Sequence, residues 1–177
     1  MLLLAMIEPP AGIGAEMPPQ SRPANACGLL TDRQVSEAMK MKVDPGIRED
    51  TGRLEGDSYQ GAYSSTCIWK AASDRDAHDL SRPLGGANFA ILTVISWPVG
   101  VKGAAIFLQS FRDAAESHVI ANTPVPLKIG DEALWWGDGV AVRRNNHSFG
   151  ISVHLVNGRS QERQLEEFLA AQITAQL

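Results

Sequence analysis

Leu127 to Val156 reads LKIGDEALWWGDGVAVRRNNHSFGISVHLV. Apolar and polar residues alternate through Val140, Val142, Ile151, Val153 and Leu155, the period of strands with one face turned inward. Gly137-Asp138-Gly139 and Asn145-Asn146 interrupt the pattern with residue types that tolerate the positive φ of tight hairpins. The segment predicts three strands, one over Leu127 to Trp136 and two within Val140 to Val156. Strands joined this closely run antiparallel, which argues against strand–helix alternation and a parallel sheet.

Working toward the N-terminus, positions 104, 107, 108, 111, 115 and 119 give helical periodicity from Lys102 to about Ile120. Asn122-Thr123-Pro124 ends that helix, and Pro98-Val99-Gly100 separates it from the strongest strand, Asn88 to Trp97. That strand is apolar on both sides, with Phe89, Ile91, Thr93, Ile95 and Trp97 opposed to Ala90, Leu92 and Val94, so it belongs near the centre of a sheet covered at least in part on both faces. Asp74 to Gly86 is a polar loop. Ser65 to Ala71 is β-like and puts Cys67 and Trp69 on one face. Residues 44 to 62 read as a loop with a short strand around Ile47. Their acidic residues (Asp44, Glu49, Asp50, Glu55, Asp57) lack the regular spacing of a calcium loop.

Leu30-Thr31-Asp32-Arg33-Gln34-Val35 is a helix start in which Thr31 and Gln34 form a capping box and Leu30 staples onto Val35. Val35, Ala38 and Met39 supply its inner face. A last helix is predicted from Gln161 to about Gln176, capped by Ser160, with Leu165, Phe168, Leu169 and Ile173 as its buried stripe. The predicted class is α+β: an antiparallel sheet with about three packed helices, in the order α-β-β-α-β-β-β-α, and a single domain over residues 24–177.

The chain has 177 residues, 44% hydrophobic and 20% charged, with a net charge of −4. The acidic balance argues against a nucleic-acid groove or a membrane-surface patch. No apolar run approaches the ~20 residues of a transmembrane segment. Residues 1–23 look like a leader: the apolar start reaches Ile7, small residues and prolines run to Ala15, where cleavage would fall, and a Pro-rich stretch follows to Pro23. A basic n-region is missing and the apolar run is short, as if the start codon were placed too late; a disordered N-terminus with a few chance leucines is the alternative.

Cys27 and Cys67 are the only cysteines. A disulfide between them, with Trp69 packed beside it, and two buried free thiols are the alternatives their number leaves. Ala24-Asn25-Ala26 before Cys27 is a poor lipidation signal.

Three stretches, Asn25-Ala26-Cys27-Gly28-Leu29-Leu30-Thr31, Cys67-Ile68-Trp69 and Gly130-Asp131-Glu132-Ala133-Leu134-Trp135, resemble the small cell-envelope lipoproteins of unknown function found in actinobacteria. They are more distantly similar to the extracellular sensor domain of a mycobacterial receptor serine/threonine kinase. The resemblance covers residues 24–177 and implies an exported α+β domain whose motif cysteines, here Cys27 and Cys67, are bridged. It carries over no catalytic residue. The weak lipidation signal puts membrane anchoring in doubt.

Phosphate loops, dinucleotide fingerprints, nucleophile elbows and zinc motifs are missing from the sequence, and no metal or cofactor is implied. His147 and His154 lie an odd number of residues apart and would face opposite sides of one strand; His78 and His118 read as surface or structural residues, the latter at a helix C-terminus. Ser152, His154 and Asp138 could join as a hydrolytic triad only through the fold. The candidate binding patch is Trp135 and Trp136, which point to opposite faces, with Arg143 and Arg144 of the following hairpin. The expected function is a non-enzymatic, periplasmic or secreted module binding an envelope protein or a small ligand. The alternatives are an envelope hydrolase with an unfamiliar site and a structural or assembly partner.

Overall fold

The computed structural model describes residues 23–57, 59, 61–73, 87–98 and 102–177. The leader up to residue 22, the polar loop at 74–86 with His78, and the break at Val99-Gly100 lie outside the described residues. The elements are α1 (Ala26–Leu29), α2 (Asp32–Met39), β1 (Ile47–Arg53), β2 (Tyr63–Lys70), β3 (Phe89–Ser96), α3 (Gly103–Glu116), β4 (Val125–Leu127), β5 (Glu132–Trp135), β6 (Val140–Arg144), β7 (His147–His154) and α4 (Arg159–Thr174). The strands form one antiparallel sheet in the order β1-β2-β3-β7-β6-β5-β4. Two meanders, β1–β3 and β4–β7, meet where the last strand of each pairs with the other, Leu92 opposite Ile151. The α+β class is as expected. Among the described residues there are seven strands rather than five, and four helices, α1 being a single short turn.

Alternation along β3 decides the layering. Ala90, Leu92 and Val94 are buried in the main core with Phe149, Ile151 and Val153 of β7, Val140 and Val142 of β6, and Cys67 and Trp69 of β2. Leu29, Val35, Met39, Leu169 and Ile173 close that core from α1, α2 and α4. The opposite face carries α3, whose Leu108 is buried on Leu134 and Ala141, while Trp97 and Ile95 pack with Ala104. On that face Phe89, Ile91 and Thr93 stay half-buried, so β3 is covered fully on one side and in part on the other.

Four local expectations change. Residues 47–53 form a full edge strand, bulged between Glu49 and Gly52, where φ is +78°. Its side chains are nearly all exposed, so no apolar alternation announces it. The predicted strand over Leu127 to Trp136 is two, because Gly130 turns with φ +64° beneath the Arg143 carbonyl, 2.7 Å from where a Cβ would sit. α3 stops at Glu116 and His118 takes a left-handed φ of +57°, just past the helix end where it was expected. α4 begins at Arg159 behind Gly158, without a side-chain cap, so Ser160 is a helix residue and not its cap. Phe168 is exposed, and Glu166 is buried along with Leu169, Ala170 and Ile173.

The N-terminal helix start is as read. The Thr31 hydroxyl accepts the Gln34 N–H at 3.2 Å, and the Gln34 side-chain oxygen accepts the Thr31 N–H at 2.8 Å. Leu30 and Val35 are both buried.

Candidate functional site

Cys27 and Cys67 form a disulfide with a Cα–Cα distance of 5.1 Å, fastening α1 to β2. Trp69 lies beside it, fully buried, and its indole N–H donates to Asp32 Oδ1 at 2.9 Å. The same oxygen accepts the Gly46 N–H, so the first residue of α2 is tied both to the sheet and to the chain entering β1.

The four residues of the predicted binding patch separate. Trp135 packs against the main core, and its indole N–H donates to Glu166 Oε2 at 3.1 Å. The Arg163 guanidinium lies 4.7 Å above the same ring, a cation–π arrangement. Trp136 goes to the α3 side and packs with Phe111, ring centroids 5.6 Å apart. Both indoles are half-buried. Arg143 and Arg144 reach Asp131 in the β4–β5 turn at 3.6 and 3.1 Å, and Arg143 also approaches Glu132. The Asn145 backbone N–H, with both arginines, holds the Asp131 carboxyl below its ordinary range. Arg112 of α3 does the same for Glu132. The arginines thus brace a turn and do not meet either tryptophan in a shared contact.

His147 and His154 fall on opposite faces of β7, as their spacing requires. Burial lowers the His147 pKa. His154 stacks on Phe89 at 5.1 Å and faces Glu162, not Asp138, at 3.7 Å, so Ser152, His154 and Asp138 are not aligned as a triad. Among the described residues, no group of three or more His, Cys, Asp or Glu could hold a metal ion, and no helix is long and apolar enough to cross a membrane.

Two features escaped the sequence. The first is the use α4 makes of its glutamates. β7 outruns β6, whose last pair is Val140 with Ile151, leaving the N–H groups of Val153 and Leu155 without a strand partner on that side. Glu166 Oε1 accepts the Val153 N–H at 3.1 Å and Glu162 Oε1 accepts the Leu155 N–H at 2.7 Å. Two carboxylates one helical turn apart stand in for the missing strand. Glu166 is buried, which, with the like charges of Glu162 and Asp138, pushes its carboxyl up to about 7 against the two N–H bonds that favour ionisation.

The second lies on the α3 face. Among the described residues, a Cβ placed on Gly150, midway along β7, would meet no heavy atom within 4 Å. In the same row the Thr66 and Thr93 hydroxyls share a hydrogen bond of 2.9 Å, and Ile68, Ile91 and Ser152 surround them half-buried. Strand period alone says nothing of what lies above Gly150.

No family model, no curated protein and no solved structure matches the chain.

Proposed function

We propose that the protein is an exported, non-enzymatic binding module of the cell envelope, meeting an envelope protein or a small ligand on the α3 face of its sheet. The observation that carries the export reading is the Cys27–Cys67 disulfide, a bond that persists in oxidising compartments and is rare in reducing ones. The signal-like leader sequence supports the same compartment. Binding on the α3 face is supported by the room for a side chain at Gly150 among the described residues, with a hydroxyl pair set among half-buried isoleucines nearby. Apolar side chains with a few fixed polar groups are the usual lining of a small-ligand site.

The test is the intact mass of the protein recovered from its own host, first native and then denatured without reductant. A chain cut near Ala15, two hydrogens light and found outside the cytoplasm is the expected result. A full-length, reduced chain in the cytosolic fraction refutes export. Gly150→Phe then probes the face. It should fill the room at Gly150 and abolish any ligand mass seen with the native protein, while thermal stability changes little. A ligand retained at full occupancy by that variant refutes the location.

A further inference from the structure

We propose that Glu166 is a proton-operated latch on Trp135: its carboxylate holds the indole against α4, and proton uptake releases the indole together with the Arg163 guanidinium resting on it. Glu166 is 1% exposed, on the inner side of α4. Each of its oxygens faces one donor, Oε1 the Val153 N–H and Oε2 the Trp135 N–H, both at 3.1 Å. An ionised carboxylate accepts both bonds. A carboxylic acid carries a proton on one oxygen, and that oxygen accepts an N–H more weakly than a carboxylate oxygen does. One of the two bonds therefore weakens on protonation.

The two donors are not equally free to move. Val153 is held in β7 by its pairing with Ala90 of β3, so its N–H is fixed by the sheet. Trp135 is half-buried near the end of β5, and its side chain turns about two single bonds. The indole is therefore the group that leaves, and the Arg163 guanidinium 4.7 Å above it loses its platform.

The surroundings fix where this happens. From α4, Glu162 faces the carboxyl, and Arg163 is drawn away by Glu167, 2.8 Å from its Nε. From the β5–β6 turn comes Asp138, and from β7 comes His154, which faces Glu162 at 3.7 Å. α2 meets α4 with a neutral amide, Gln34 bonded to Gln172. Burial and two like charges raise the Glu166 carboxyl to about 7, so the latch turns near neutral pH.

The experiment follows the indole N–H resonance of Trp135, assigned by its absence in Trp135→Phe, from about pH 5 to about pH 9 in the intact protein. One step is expected, with a midpoint near 7, moving on acidification toward the position of an indole without a strong acceptor. Glu166→Gln should abolish the step, and His154→Asn, which removes the imidazole facing Glu162, should leave it in place. A flat resonance, the same step in Glu166→Gln, or its loss in His154→Asn overturns the proposal. Should Glu166→Gln fail to fold, the carboxyl carbon of Glu166 in the unmodified protein decides, and a midpoint below about pH 5.5 overturns it.

Discussion

At Gly46 a Cβ would fall 2.6 Å from the Trp69 indole nitrogen and 2.7 Å from Cys67 Sγ. Neither neighbour can yield: one is a buried ring and the other half of a disulfide. Gly46→Ala should therefore cost about 1–3 kcal/mol, read as a lower midpoint in denaturant unfolding. An unchanged midpoint would mean that the bridge and ring are not packed as described. Glu166 makes the opposite kind of demand. Its folded pKa of about 7 lies above the ordinary 4.5, so the native state holds the proton more tightly than the unfolded chain does. The stability this group contributes is present below about pH 4.5 and is lost as pH rises through about 7, on the order of 3 kcal/mol in all. His147, its pKa lowered by burial, pulls the other way at acid pH, so the curve of the unmodified protein alone is ambiguous. The difference between it and Glu166→Gln isolates the carboxyl: the unmodified protein should lose stability relative to the variant between pH 5 and pH 8 by about that amount. Parallel curves would contradict it.

Among the elements, α2 is the one whose beginning was fully legible, because a capping box is a local pattern that needs no tertiary context. Thr31→Ala should lower stability by about 0.5–2 kcal/mol, while Thr31→Ser should keep most of it; equal loss in both would show that the hydroxyl does not cap. α4 was only half legible. A stripe at 165, 168, 169 and 173 and one at 166, 169, 170 and 173 share two members and differ by a small rotation of the helix. Hydrophobicity favours the first, since it buries Phe168. The second prevails because β7 presents the N–H groups of Val153 and Leu155 to the helix without a strand partner, and Glu166 and Glu162 supply the acceptors that meet them. That requirement arises from strand lengths in another part of the chain, and no local pattern contains it. β1 was seen only as a short strand near Ile47 for a related reason: an edge strand exposed along nearly its whole length has no inward face to alternate with. The same logic covers the candidate site. The opposite facing of the two tryptophans was legible from their adjacency, whereas the Asp131 partners of Arg143 and Arg144 depend on the turn at Gly130.

For the whole molecule, the strands of period 2 and their tight hairpins sufficed for the class, and the long-range join of β3 to β7 was not readable from any one segment. The disulfide acts at this scale too, closing a separation of 40 residues that contains α2 and β1. In the chain-entropy account, that is worth on the order of 4 kcal/mol. For a chain of this size, reduction should lower the melting temperature by roughly 10 °C, and Cys67→Ser should match it without reductant. Equal melting with and without reductant would refute the bridge as a stabiliser. The bridge also bears on the order in which the protein is made. Both cysteines leave the ribosome long before His147 to His154, the strand that completes the centre of the sheet, has been synthesised. With two cysteines there is one way to pair within a chain. An early oxidant therefore cannot scramble this protein; its one covalent error is to join two copies, and that error grows with the number of unfinished chains present together.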